Sequence, residues 1–230
     1  MNLTPKQLYT HLYDAFGPQH WWPMDSIYHE KNGSDPRFEI MIGAILTQNT
    51  AWNNVEKAIQ ELKKQNLLSI HAIKDVDDSL VKQLIKSSGY FNQKAKRLKY
   101  LARYLSENYD GNLNTFFSKK TSILRKELLN VHGIGPETAD SILLYGGEKP
   151  VFVVDAYTKR LCERLPLPIN QSSYEKIQHY FQDELTKYYA NHELIKVYNE
   201  LHALIVNLGK YFCRPKPVCA SCPLLSYCEF

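Results

Sequence analysis

The 230-residue sequence has no apolar run long enough to cross a membrane, and its first residues lack a basic segment followed by an apolar one. We therefore expect neither a membrane span nor a secretion signal. Internal repeats and Gly- or Ser-rich linkers are also missing, so any domain boundary should fall in packed loops. These absences favour a globular cytoplasmic protein that does not associate with membranes.

Strand-type alternation is missing too, apart from a short run at 150–154 that resembles a strand. Apolar residues instead recur at helical spacing through most of the chain. The segments predicted to be helical are 3–16, 37–46, 52–62, 67–73, 80–85, 94–104, 123–129, 136–143, 174–189 and 194–211. The sequence therefore predicts an all-α fold of many short helices.

Positive charge is modest, with a formal net charge of +4, but the basic residues cluster before residue 130. The clusters are Lys94-Lys96-Arg97-Lys99, Lys119-Lys120 and Arg125-Lys126. A basic stripe of this kind is typical of proteins that follow a phosphate backbone, although an ordinary solvated surface has the same composition.

The clearest motif is a helical hairpin in residues 128–140. Two amphipathic segments are joined by the turn Val131–Gly135, which contains Gly133 and Gly135, and the second segment opens with Pro136. Glycine permits a tight turn, proline suits a first helical turn, and a helix start attracts anions. The pattern predicts a phosphate-binding site at Gly133 and Gly135. The alternative is that the glycines serve only the packing of the two helices.

Four of the five cysteines lie in the last eighteen residues. Without a secretion signal, metal ligation is favoured over disulfides. Four thiolates suit tetrahedral zinc or an iron–sulfur cluster, and a single Cys-x2-Cys pair favours the cluster over a zinc ribbon. The predicted ligands are Cys213, Cys219, Cys222 and Cys228. The fifth cysteine, Cys162, reads as a buried core thiol.

The hairpin, the loop 146–150, the run Val153-Val154-Asp155 and the cysteine tail together resemble the endonuclease III superfamily of DNA glycosylases, over nearly the whole chain. The first spacing of the tail is one residue shorter than the common pattern. This resemblance implies a two-lobed fold and a 4Fe–4S cluster. One lobe would be a six-helix barrel, 29–149, with the helix-hairpin-helix at about 122–145. The other would join 1–28 to 150–230 and carry the cluster loop 213–228.

The same resemblance implies roles for single residues. Asp155 would be the catalytic carboxylate, which stabilises positive charge on the sugar and activates water; the pattern alone also fits an N-cap of the next helix. Gln48, in the turn after Leu46, would fill the space left by a flipped nucleotide. The cluster would order a DNA-contacting loop around Arg214 and Lys216.

One departure concerns strand cleavage. Bifunctional members of the superfamily carry a lysine at the position that is Glu137 here, and a carboxylate cannot form the Schiff base of the lyase step. The resemblance therefore implies a monofunctional glycosylase that leaves the DNA backbone intact.

A narrower resemblance points to bacterial 3-methyladenine glycosylases of the endonuclease III type. It rests on Trp21-Trp22-Pro23, residues 46–50 and 135–140, and His202–Val206. It implies that Trp22, with Trp21 second, stacks on a cationic methylated base. Glu137 would either attract that base or lie exposed in the first turn of its helix. Some members of this group hold a lysine in place of the cluster, whereas this chain has all four cysteines.

The leading hypothesis is thus a monomeric base-excision enzyme that binds double-stranded DNA with an alkylated purine. An enzyme for another damaged or mismatched base and a non-catalytic DNA-binding protein are the two alternatives.

Overall fold

The computed structural model describes residues 3–169, 171–228 and 230, and every regular element within them is helical. The α-helices are α1 (Pro5–Phe16), α2 (Ser26–Asn32), α3 (Pro36–Leu46), α4 (Trp52–Lys64), α5 (Ile70–Asp75), α6 (Asp78–Leu84), α7 (Phe91–Tyr109), α8 (Leu113–Phe117), α9 (Thr121–Asn130), α10 (Pro136–Ser141), α11 (Ala156–Arg164), α12 (Tyr174–Thr186) and α13 (Asn191–Tyr211). Short 3-10 turns cover Lys86–Ser88 and Leu225–Tyr227, and a π-helical turn covers Ile142–Gly146. The prediction of an all-α fold is confirmed.

The chain divides into two compact units, Trp22–Gly147 and the pair of segments Met1–Trp21 and Glu148–Phe230. In the described part of the chain, no helix is long and apolar enough to cross a membrane.

The unit Trp22–Gly147 is built around α3, which is apolar on nearly every side. Asp35 caps its N-terminus by accepting from the Arg37 amide, and Pro36 occupies the first turn. Nine consecutive residues, 38–46, are buried, as the sequence predicts for a helix enclosed by others. Helices α4, α7 and α10 and the π-helical turn pack around it. The polar turn 47–50 then leads the chain out of this core.

Helix α7 runs further than the predicted 94–104. Gly89 and Tyr90, both with positive φ, precede it, and Asp110, in the left-handed region, ends it. Lys94 and Lys99 point into the interior of the unit, with 1% and 4% of their surface exposed. The prediction of a basic surface stripe is therefore wrong at these two positions. Lys94 shares one helical face with the buried Leu98 and Leu101, and the i, i+4, i+7 spacing carries it inward.

The other unit packs α1 and α12 against α13, and α11 against α13. Thr4 and Gln7 form a capping box at the start of α1, and Gly17 ends that helix, in agreement with the predicted end at residue 16. The core side chains of α13 come from one long face that includes Leu194, Tyr198 and Leu201.

The run 150–154 forms no strand in the described structure, and its residues 151–154 are buried. The Phe152 ring stacks on Phe181 at 4.5 Å between centroids. Its amide donates to Gln182 Oε1 at 3.0 Å, and its carbonyl accepts from Gln178 Nε2 at 2.7 Å. Side chains of α12 thus satisfy the backbone groups that a neighbouring strand would otherwise pair. This segment delivers Asp155 to the start of α11.

Candidate functional site

The hairpin between α9 and α10 has the geometry that its glycines predict. Gly133 has a φ of +85°, which favours glycine, and the Ile134 amide donates to the Val131 carbonyl at 3.1 Å. Gly135 is extended and exposed, with no other atom within 4 Å of the position where a Cβ would stand. The turn is therefore open to solvent on the side where α10 begins.

An ion pair joins the two helices of this hairpin. Arg125 Nε donates to Asp140 Oδ1 at 2.7 Å and Arg125 Nη2 donates to Asp140 Oδ2 at 3.0 Å, while Asp140 is fully buried. A two-point arginine–carboxylate contact fixes orientation as well as distance. Arg125 consequently holds the hairpin together, and most of its guanidinium is engaged in this contact.

Gln48 lies against the hairpin, although 85 residues separate it from Gly133 in the sequence. Its Nε2 donates to the Gly133 carbonyl at 3.1 Å and to Thr138 Oγ1 at 2.9 Å. Its Oε1 accepts from Arg97 Nη1. The turn 47–50 and the hairpin are therefore adjacent parts of one surface within the unit Trp22–Gly147.

Trp22 is half-buried in an aromatic group that the sequence does not reveal. Its ring lies 5.2 Å from that of Trp52, at a right angle, and 5.3 Å from that of Tyr145. Gly43 of α3 makes room for it, because a Cβ at that position would stand 2.5 Å from Trp22 Cζ2. Trp52 and Tyr145 have no role in the sequence predictions, since only the fold brings them to Trp22. Trp21 belongs to the other unit and is also half-buried.

Glu137 lies in the first turn of α10, where a carboxylate is favoured by the helix dipole. Its side chain is exposed, which agrees with the predicted position in the first turn of the helix.

Asp155 is buried at the N-terminus of α11, and its two oxygens face different groups. Oδ1 accepts from the Thr158 amide at 2.7 Å and from Thr158 Oγ1 at 2.9 Å, so the predicted N-cap is confirmed. Oδ2 lies 3.7 Å from Nε2 of His202 on α13. Oδ1 thus holds the helix start, and Oδ2 is the oxygen turned towards a second titratable group.

The surroundings of Asp155 favour its ionised form. Burial by itself raises the pKa of a carboxyl group, but the nearby His202 and the two donors of Thr158 outweigh burial and lower the pKa of Asp155. His202 stands in the motif 202–206 that carries the narrower resemblance, but the sequence gives it no role. The structure places it beside the predicted catalytic carboxylate.

The four C-terminal cysteines line one small cavity of about 30 Å³. None of them forms a disulfide. Burial raises the pKa of the Cys222 thiol, and the other three cysteines raise it further, because four thiolates converge on one region. Arg164 Nη1 donates to Cys213 Sγ at 3.3 Å, which places a cation beside one of the sulfurs. In the described residues, no three His, Cys, Asp or Glu side chains are placed to hold a single metal ion.

The loop that carries the first of these cysteines is fixed to α11. Arg164 also donates to the carbonyls of Arg214 at 2.7 Å and Pro215 at 3.2 Å, and Arg160 Nε donates to the Cys213 carbonyl at 2.7 Å. The side chains of Arg214 and Lys216 are exposed. Cys162 is buried with a pKa raised to about 12, mainly by burial, and the prediction of a core thiol is confirmed.

Residues 42–187 match the family described as HhH-GPD superfamily base excision DNA repair protein. The chain belongs to this superfamily. A Methanocaldococcus jannaschii protein provisionally named a DNA repair glycosylase is 44% identical over 224 residues, which cover 96% of this chain and 94% of that protein. Endonuclease III of Thermotoga maritima is 30% identical over 198 residues, 86% of this chain and 84% of that protein.

A solved structure extends the comparison to a third protein. The 3-methyladenine DNA glycosylase of H. pylori, in a complex with 1,N6-ethenoadenine, superposes with a TM-score of 0.70 at 26% identity. The match covers 90% of this chain and 98% of that chain. The sequence-based assignment to the endonuclease III-like superfamily is confirmed, and this HhH-GPD protein is a base excision repair DNA glycosylase.

Proposed function

We propose that this HhH-GPD protein is a monofunctional glycosylase that releases an alkylated purine, 3-methyladenine in particular, from double-stranded DNA. The assignment of this substrate rests on one observation: Trp22 is half-buried and packs against the rings of Trp52 and Tyr145. The H. pylori relative, whose name specifies 3-methyladenine, supports the same base.

Charge is the property by which an aromatic surface separates this base from normal adenine. In DNA, the base 3-methyladenine is cationic and is already a good leaving group. The enzyme therefore has to recognise this base more than it has to protonate it. A tryptophan face attracts a cation by about 0.5–2 kcal/mol, and more where water is excluded. Neutral adenine gains much less from the same face. We propose Trp22 for this contact, with Trp21 and Glu137 as further candidates for binding the base.

Asp155 supplies the carboxylate that glycosidic cleavage requires. Breaking the N-glycosidic bond places positive charge on the sugar, much as glycoside hydrolysis does through an oxocarbenium-like transition state. An ionised carboxylate stabilises that charge and can orient or deprotonate the attacking water. The lowered pKa of Asp155 keeps it ionised at neutral pH, and Thr158 holds its other oxygen in place.

DNA contacts are proposed for the two hairpin glycines, for Gln48 and for the exposed side chains of Arg214 and Lys216. Enzymes that act on a base in a duplex flip it out of the stack. Gln48 would then fill the space that the base has left, while the hairpin and the basic side chains bind the phosphates.

We also propose a 4Fe–4S cluster held by Cys213, Cys219, Cys222 and Cys228. A tetrahedral zinc site brings four sulfurs to about 2.3 Å from one point, whereas the thiolates of a cluster each bind a different iron and stand further apart. The shared cavity, the convergence of the four thiols and the Arg164 guanidinium beside Cys213 support a thiolate-bound metal group at this place, and the single Cys-x2-Cys pair favours the cluster over zinc. The cluster would order the loop 213–228.

Replacement of Trp22 by alanine is expected to slow release of 3-methyladenine at subsaturating enzyme about 2- to 30-fold, the equivalent of the lost cation–π attraction. The measurement is single-turnover release from methylated duplex DNA, with chromatographic identification of the freed base. Trp21→Ala is the matched control and should change the rate less. A larger effect of Trp21→Ala would reverse the two assignments.

The same assay separates the leading function from its alternatives. Duplexes with an oxidised pyrimidine or a mismatched base should release little or nothing. Release of one of those bases in preference to 3-methyladenine would replace the proposed substrate. DNA binding without release of any base would favour a non-catalytic role.

Because Glu137 occupies the position of the lyase lysine, we expect abasic sites to persist until heat or alkali breaks the strand. Borohydride should trap no covalent protein–DNA adduct, since a carboxylate forms no Schiff base. The measurement is gel analysis of an end-labelled duplex, with a bifunctional endonuclease III as the positive control. Efficient nicking together with borohydride trapping would contradict the monofunctional assignment.

A further inference from the structure

A buried lysine holds both ends of the turn that carries Gln48. Lys94 Nζ donates to the Leu46 carbonyl at 2.8 Å, to Thr50 Oγ1 at 3.1 Å and to the Ser88 carbonyl at 2.6 Å. Leu46 precedes the turn 47–50, and Thr50 is its last residue. One ammonium group therefore holds the main chain before Gln48 and the side chain of Thr50 after it, and it ties both to the segment before α7.

The environment of Lys94 is costly for a cation. Its three acceptors are neutral oxygens, and only 1% of its surface is exposed. Burial, followed by the charge of Arg97, lowers the pKa of Lys94 to about 8. A buried ammonium whose partners are neutral contributes little net stability, because desolvation offsets its hydrogen bonds. Its three donors nevertheless impose one geometry on the turn.

Arg97 lies one helical turn further along α7 than Lys94, and it holds the side chain of Gln48. Its guanidinium donates to Gln48 Oε1, and its aliphatic part crosses Gly133, where a Cβ would stand 2.4 Å from Arg97 Cγ. Glycine is thus required at 133 both by its positive φ and by the closeness of Arg97. The amide nitrogen of Gln48 is in turn fixed by the hairpin.

We propose that Lys94 and Arg97 are positioning residues that set Gln48 in its working place before DNA binds. Lys94 holds the two ends of the turn 47–50, through the Leu46 carbonyl and the Thr50 hydroxyl, and Arg97 holds the side-chain amide of Gln48. The inference rests on the proposed role of Gln48 in filling the space of the flipped nucleotide. Preorganisation of this kind lowers the ordering cost that binding would otherwise meet.

The test compares two duplexes of the same sequence, one intact and one with a tetrahydrofuran abasic site in place of one nucleotide. The ratio of their dissociation constants reports the filling of the vacant position, whereas phosphate contacts alter both constants alike. Gln48→Ala, Lys94→Met and Arg97→Met should each reduce the preference for the abasic duplex about three- to tenfold. Arg97→Lys should restore part of it.

Lys99→Met is the matched control. Lys99 is a buried lysine on the same helix, but its Nζ donates to the carbonyls of Lys74 and Val76, away from the turn. Its removal should leave the preference unchanged. If Lys94→Met fails to fold, Arg97→Met carries the test, because Arg97 is only half-buried.

A double variant decides whether Arg97 acts through Gln48. Gln48→Ala with Arg97→Met should show the same preference as Gln48→Ala alone. Additive losses, or equal weakening of both duplexes by Arg97→Met, would overturn the inference and leave Gln48 its proposed role. An unchanged preference in Gln48→Ala would instead remove that role and this inference with it.

Discussion

Replacement of Asp155 by asparagine is expected to slow base release about 10²- to 10⁴-fold, the range for a side chain that acts on a proton or charge in the transition state. Asparagine keeps the shape of the side chain but removes the negative charge that would stabilise the sugar cation. The measurement is the single-turnover rate on methylated duplex DNA at saturating enzyme. Binding of the same DNA should change little.

The helix cap provides the control for this prediction. Asp155 Oδ1 accepts from Thr158, and asparagine caps helices about as well as aspartate, so Asp155→Asn should unfold near the wild-type temperature. Asp155→Ala removes the cap as well and should cost about 1 kcal/mol of unfolding free energy. If Asp155→Asn retained full activity while Asp155→Ala lost stability, the carboxylate would be a cap and nothing more.

Local patterns in the sequence predict the fold because they record which face of each helix is buried. Helix α3 is apolar on nearly every side, and the structure buries residues 38–46 in a row. The hairpin follows from two glycines and a proline whose backbone preferences act within a few residues. The cap at Asp155 is likewise a contact over three residues.

The contacts that the sequence does not reveal join residues that are distant along the chain. Gln48 reaches Thr138 across 90 residues, and Trp22 meets Tyr145 only because α3 and the π-helical turn pack together. Lys94 is the instructive error. A count of basic residues assigns it to a DNA-binding surface, whereas its helical face directs it inward to carbonyl oxygens. Charge clusters predict surfaces only after the helical face of each residue is considered.

Replacement of Cys222 by alanine is expected to abolish the broad visible absorbance that an iron–sulfur cluster gives the purified protein. The cluster needs four thiolates, and its binding would also stabilise the fold, because a group that binds only the folded state shifts the unfolding equilibrium. We therefore expect a colourless protein with less bound iron and a lower unfolding temperature. Absorbance spectra and iron and zinc analysis provide the measurement.

Cys162→Ala is the matched control, because it removes one thiol from the same protein without touching the cavity. Its thiol is buried in the core, with a pKa raised to about 12, so it is poorly suited to ligation as a thiolate. Cys162→Ala should keep the absorbance and the iron content of the wild type, although a small cavity in the core lowers its stability. Stoichiometric zinc in a colourless wild-type protein would contradict the cluster and favour a structural zinc site at the same four cysteines.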